Sequence, residues 1–258
     1  MKERRPRALE RETAALIGLA AALSGCATAR DRPIAMKPVS IQTLQYYPYL
    51  VKGYQNSYPK RSIIVLMPAI SRNFAAAGNG DQAPYQGHPA IGVILDQRDQ
   101  VDQRLYGPAL APLFQHALAG AAREAGMIPA VATDSLHDEL QARRAAYVMA
   151  ASVTDLWVVK QRAHDNSAGP AWFSVARVGI NVTIYKPPFD VPFWQGASYA
   201  QYNDPSTPTP GIMPADETEI YDHPGEVLSV ALTRAVAGIF QRQDLYTLLA
   251  QDAAIRTP

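Results

Sequence analysis

The stretch Trp172-Phe-Ser-Val-Ala-Arg-Val-Gly-Ile-Asn-Val-Thr-Ile-Tyr185 alternates with a period of two. Trp172, Ala176, Val178, Ile180, Val182 and Ile184 fall on one side, and Phe173, Val175, Arg177, Asn181 and Thr183 on the other. This is the pattern of a long strand with one face on a core. Lys186-Pro-Pro-Phe-Asp190 reads as a turn, and Val191–Tyr202 is long enough to return beside the first strand. The two segments form a hairpin, so the second half of the chain is built on a sheet.

Working outward, Tyr147–Gln161 is a third long strand, with Val148, Ala150, Leu156 and Val158 interrupted by Asp155 and Trp157. Ser62–Pro68 and Ile91–Asp96 are short continuous apolar runs, the mark of buried strands. Leu110, Leu113, Phe114, Ala117, Leu118, Ala121 and Ala125 recur at helical spacing, and Gly126 ends that helix. Met127–Val131 reads as a strand, and Thr133–Arg144 as a short capped helix. A last helix starts at Pro224, a favoured first helical residue, with Asp222-His223 as its cap. Leu228, Ala231, Leu232, Ala235, Val236 and Ile239 form its apolar stripe, and Asp244–Gln251 adds a short amphipathic segment. Residues 71–89 and 203–219 read as long loops, and Gln97–Arg104 as a solvated loop of mixed charge. The expected fold is α/β (α+β): a single mixed sheet packed by two main helices, with a late β-hairpin, over residues 62–258.

The N-terminus differs from the rest. Lys2, Arg4, Arg5, Arg7 and Arg11 give a basic start, and Ala14–Leu23 is an apolar run of about ten residues. That run is too short for a membrane-spanning helix, which needs about 20 residues. It closes on Leu23-Ser24-Gly25-Cys26, which holds the chain's one cysteine. Small residues at 24 and 25 suit a signal-peptidase cleft. The basic start and apolar run read as a signal peptide over residues 1–25, and the resemblance of its last four residues to the lipobox of bacterial lipoproteins implies a cut between Gly25 and Cys26 with a lipid on the Cys26 thiol. Acyl chains contribute about 0.8 kcal/mol per buried methylene, so more than one chain anchors stably. Residues 26–61 read as a tether broken by Pro33, Pro38, Pro48 and Pro59. Its tyrosines, Tyr46, Tyr47, Tyr49, Tyr54 and Tyr58, either meet a partner or pack back on their own domain.

Composition narrows the function. The formal charge is +1, without the basic excess of a general nucleic-acid binder. One cysteine leaves no disulfide framework and no cysteine-rich zinc site. His88, His116, His137, His164 and His223 share no metal-ligand spacing, and no nucleophile motif is present. No catalytic set, metal or cofactor is expected. The candidate partner-binding residues are Tyr46, Tyr47, Tyr49, Tyr54, Trp172 and Trp194, the two tryptophans bracketing the hairpin.

The segment Leu23–Cys26 resembles the lipobox of bacterial lipoproteins. In that family the exposed Cys is acylated, and Ala27 rather than Asp after it implies the outer membrane in enterobacterial members. The strand–helix order over residues 62–250 is similar to envelope lipoproteins with a domain like the TolB N-terminal domain. That group includes curli-secretion lipoproteins, penicillin-binding-protein activators and auxiliary lipoproteins of ABC-type lipid transporters. The positions that carry it are the strand Ile91–Asp96, the helix ending at Gly126, the strand from Tyr147, the hairpin with Trp194, and Glu226–Leu232. The resemblance implies a periplasm-facing, lipid-anchored factor that binds or assembles an envelope protein or lipid-transport partner without chemistry of its own. Two other readings stand beside it: an anchored envelope hydrolase centred on His88 and Asp96, and an oligomerising secretion or pore subunit.

Overall fold

The computed structural model describes residues 39–41, 44–50, 57–71, 86–96, 98–132, 144–162, 172–204 and 217–255. The folded unit that contains them runs from Lys37 to Pro258. Its strands are β1 (Val39–Ser40), β2 (Ser62–Val65), β3 (Ala69–Ile70), β4 (Ala90–Leu95), β5 (Val101–Tyr106), β6 (Ile128–Val131), β7 (Tyr147–Arg162), β8 (Trp172–Tyr185) and β9 (Pro192–Asp204). Its helices are α1 (Leu110–Glu124), α2 (Glu217–Phe240) and α3 (Gln243–Ile255), with a 3-10 turn at Pro48–Leu50.

All nine strands join one mixed sheet arranged around β7. Along one edge of β7 lie, in turn, β2 at Tyr147–Met149, β3 at Ser152–Val153 and β4 at Val158–Lys160, all parallel to it. Along its other edge β8 runs antiparallel, from Val148 opposite Tyr185 to Arg162 opposite Trp172. β9 then pairs antiparallel with β8. The expected α/β fold with one mixed sheet and a late hairpin is the fold observed, and the two-sided alternation read in β8 holds. Ala176, Val178, Ile180, Val182 and Ile184 are buried against Val227, Leu228, Ala231, Leu232, Ala235, Val236 and Ile239 of α2.

The α1 helix ends as its spacing predicts. Gly126 follows the last turn with φ +98°, a conformation that costs glycine no Cβ clash. One polar residue of α1 lies in the interior: Gln115 is buried, and its Nε2 donates to the carbonyls of Val65 (2.9 Å) and Ala132 (2.8 Å). It ties the helix to the ends of β2 and β6.

Four expectations change. Gln97–Arg104 is not a free charged loop, because Val101–Tyr106 forms β5 and pairs antiparallel with β4. The reversal between them is held by the Asp96 carboxylate, whose Oδ1 accepts the backbone N–H of Arg98 (2.7 Å) and of Gln100 (2.9 Å). Those two bonds hold the Asp96 carboxyl below the usual carboxylate range.

The α2 helix begins at Glu217, so Pro224 lies inside it and Asp222-His223 are helical rather than a cap. Proline there removes one intrahelical donor and its ring crowds the carbonyl four residues back, yet the helix runs on through it.

Part of the segment read as a tether belongs to the fold. Val39 and Ser40 pair with Leu105 and Tyr106 of β5, and Ile41, Leu44 and Tyr58 are buried. The apolar side chains at these positions seek the same core as the helices. The short helix expected at 133–144 lies almost wholly outside the described residues.

The fourth change concerns Trp194. A bulge between Ile184 and Tyr185 on β8 leaves Phe193 as an extra residue on β9. Phe193 and Trp194 therefore both turn to the helix side. Phe193 stacks on Tyr147 with ring centroids 5.8 Å apart, and Trp194 is buried.

Candidate functional site

Alternation gives the β7–β8–β9 sheet two different faces. The inner face packs under α2 through apolar side chains such as Val178, Ile180 and Val182. The outer face carries Trp157, Val159, Val175, Arg177, Asn181, Tyr199 and Gln201, as the register Val159 opposite Val175, Trp157 opposite Arg177 and Arg177 opposite Gln201 requires. On β9, Gln195, Ala197, Tyr199, Gln201 and Asn203 are exposed, Tyr199 at 59%.

β9 is also an edge. Among the described residues it pairs with β8 alone, so its other side has no strand neighbour. From Phe193 to Asn203 it carries no charged residue and no proline. Natural proteins usually guard a long edge with lysines, prolines or bulges. Here the Arg242 guanidinium reaches the strand, 3.5 Å from the carbonyl of Ala197.

Within the outer face one ion pair stands out. The Arg177 Nε lies 2.9 Å from Oδ2 of Asp155 and 3.2 Å from its Oδ1, each side chain about a quarter exposed. Asp155 reaches this position because β7 has a register shift between Val153 and Asp155. Beside it, Trp157 is 5% exposed although it faces away from the helices.

The inner face holds a different polar group. Lys160 is buried directly opposite Ser174, which is buried too. Loss of water around the Lys160 ammonium pulls its pKa down to about 8.

The residues singled out from the sequence do not converge. Tyr46 packs against the core, with its ring against Gly120 of α1. The backbone N–H of Tyr47 donates to Thr233 Oγ1 at 2.9 Å, and Gln45 makes the matching bond to Ser229 Oγ at 3.0 Å. These contacts lash the segment to α2, which favours packing on its own domain over a free aromatic strip. The side chains of Tyr49 and Trp172, and the whole of Tyr54, lie outside the described residues, as do Gly25 and Cys26.

Trp194 is a core residue. Its Nε1 donates to Asp244 Oδ2 at 3.1 Å, and Arg242 sits 5.7 Å from its ring centre. Asp244 is held at about 2, first by the hydrogen bond from Arg242 and then by that from Trp194. The two bracketing tryptophans are far apart: Trp194 opposes Ile184, and Trp172 lies twelve residues further along β8, about 40 Å away.

His88 and Asp96 are not brought together either. They flank β4 at opposite ends, about 25 Å apart along the strand. The Nδ1 of His88 is 3.1 Å from the carbonyl of Gly107, and Asp96 closes the β4–β5 turn. His116 is exposed on α1. Among the described residues no cluster of His, Cys, Asp or Glu is arranged to hold a metal, and no helix is long and apolar enough to cross a membrane.

No family model and no curated protein matches the chain. Several solved structures are similar to it. A DUF330 protein from Xanthomonas campestris aligns over 85% of this chain and 99% of its own, at 14% identity and TM-score 0.43. The PelC dodecamer subunit from Paraburkholderia phytofirmans aligns over 73% and 96%, at 10% identity and TM-score 0.33. The lipoprotein GNA1162 from Neisseria meningitidis aligns over 58% and 88%, at 12% identity and TM-score 0.28.

Proposed function

We propose that this chain is a lipid-anchored binding factor of the bacterial cell envelope, held to the membrane through Cys26 and meeting a protein partner along β9. The observation that carries the binding half is the edge strand itself. Thirteen residues long, uncharged from Phe193 to Asn203, it offers backbone donors and acceptors to an incoming strand. The exposed Tyr199 and its neighbours supply the adjoining face. The anchoring half rests on Leu23-Ser24-Gly25-Cys26.

The two halves work together. Thirteen residue steps separate Cys26 from Val39, where the described fold begins, a reach of at most about 45 Å. Confinement to that layer raises the local concentration of a weak binder near a partner in the same membrane. In this proposal the membrane is the outer one, the domain faces the periplasm, and its kin are the TolB-like group.

Cys26→Ser tests the anchor: the protein should leave the membrane fraction and lose its acyl mass. An Ala197→Lys/Tyr199→Lys variant tests the edge. Both side chains are exposed, so stability should stay within about 0.5 kcal/mol of wild type while partner capture falls. A second reading uses the same strand. An oligomer of this chain would pair β9 with β9 of another copy, and the mass of the detergent-solubilised protein separates the two.

A further inference from the structure

The free edge of β9 runs beside a helix flank. The outward residues of β9, Ala197, Tyr199 and Gln201, are exposed, and its inward residues Ser198, Ala200 and Tyr202 are half-buried. The inward residues of β8, such as Val178, Ile180 and Val182, are fully buried instead. α2 packs across both strands, so one side of it stands over the sheet margin. Three residues at steps of four mark that side. Arg234 lies over the Tyr202 ring, 4.7 Å from its centre. A Cβ at Gly238 would meet the Ser198 hydroxyl, so helix and strand approach closely there. Arg242 reaches the Ala197 carbonyl. A strand added beside β9 lies about 4.8 Å further out, and every second side chain of it turns to this flank.

The two arginines differ in charge balance. Arg242 gives Asp244 two bonds of 3.0 Å, which neutralises that end of the edge. Arg234 is exposed, and among the described residues it makes no ion pair or hydrogen bond beyond its seat on Tyr202. The nearest acidic residue of α2, Glu226, is eight positions back, about 12 Å along the axis. An aromatic ring orients a guanidinium but leaves its N–H donors without an oxygen. A second copy of β9 brings none, because the strand carries no carboxylate from Phe193 to Asn203.

We propose that the segment which pairs with β9 is an acidic one: an extended stretch of a partner protein with an Asp or Glu turned towards α2 at the Tyr202 end, received by Arg234. The guanidinium offers a planar fork to two carboxylate oxygens. The backbone of β9 supplies pairing to any extended chain, whereas Arg234 selects the chain and fixes its register. Arg234 is thus a specificity residue of the edge. This rests on the reading of β9 as the binding edge.

The experiment measures fluorescence anisotropy of two labelled peptides with the full chain in detergent. Both are about seven residues of alternating valine and threonine, a strand-forming pattern, one with a central glutamate and one with glutamine in its place. The glutamate peptide should bind wild type about fivefold tighter, and less so at high salt. Arg234→Gln, a change at an exposed helix position, should bring the glutamate peptide down to the affinity of the glutamine peptide and leave the latter unchanged. Ala197→Lys/Tyr199→Lys should weaken the glutamine peptide, which reads the edge without the charge. Equal affinity of the two peptides for wild type, or an undiminished preference in Arg234→Gln, overturns the acidic partner and leaves β9 as an edge. Binding of neither peptide overturns both readings.

Discussion

The Tyr58 hydroxyl donates to the carbonyl of Phe240 at 2.8 Å, across 182 residues of sequence. The same ring meets Phe240 and Tyr246 edge-on, at 6.1 and 5.5 Å between centroids. It is buried, and loss of water raises its pKa above the ordinary tyrosine value. An N-terminal segment is thus clamped between the end of α2 and α3. Tyr58→Phe keeps the ring and loses the bond, so it should cost about 1 kcal/mol. Tyr58→Ala should cost roughly 3–5 kcal/mol, since it also empties the space between the helices. Urea denaturation of the two variants checks both values.

Trp194 predicts a different kind of sensitivity. A Cβ at Gly196 would overlap the Trp194 ring, so glycine there is what lets the indole lie flat on its own strand. Gly196→Ala should displace the indole, break its bond to Asp244, and destabilise the fold by about 1–3 kcal/mol. Tryptophan fluorescence should report the change in the native state. The loss is one of packing, so partner capture by the remaining folded protein should be unaltered.

Lys160 ties stability to pH. Its pKa is about 8 in the fold and 10.5 when exposed, so between those values the unfolded chain binds more protons. Stability therefore rises with pH through this window and is flat below it, by at most about 1.4 kcal/mol per unit. From pH 8 to 9.5 the gain should be about 1–2 kcal/mol. Lys160→Met should abolish that slope. The range stops short of pH 10 because Tyr58, raised by burial, then acts in the opposite sense.

The hairpin, the α1 helix with its Gly126 stop, and the central strand from Tyr147 are legible in the sequence because each repeats a period over many residues. β5 is not, since Asp102 and Arg104 break its apolar pattern and its pairing with β4 shifts register twice. β1 and β3, at two residues each, carry no periodicity at all. The start of α2 was hidden by Pro224, whose preference for a first turn points to the wrong boundary. The candidate site was less legible still. That Trp157 faces Arg177, and that Asp155 reaches the same guanidinium, depends on the cross-strand register and on the shift between Val153 and Asp155. Neither is written in either strand alone. Trp172 and Trp194 look adjacent in a folded hairpin only until the register sets them at its two ends.

The most direct test of an anchored edge-binding factor is mild crosslinking in native membranes, with capture and mass spectrometry. Wild type, Cys26→Ser and Ala197→Lys/Tyr199→Lys are compared at equal protein level. The account predicts one envelope protein recovered with wild type, and lost or strongly reduced with each variant. Recovery of the same protein at equal yield from all three would contradict it, since neither the lipid nor the β9 edge would then be what brings the partner in.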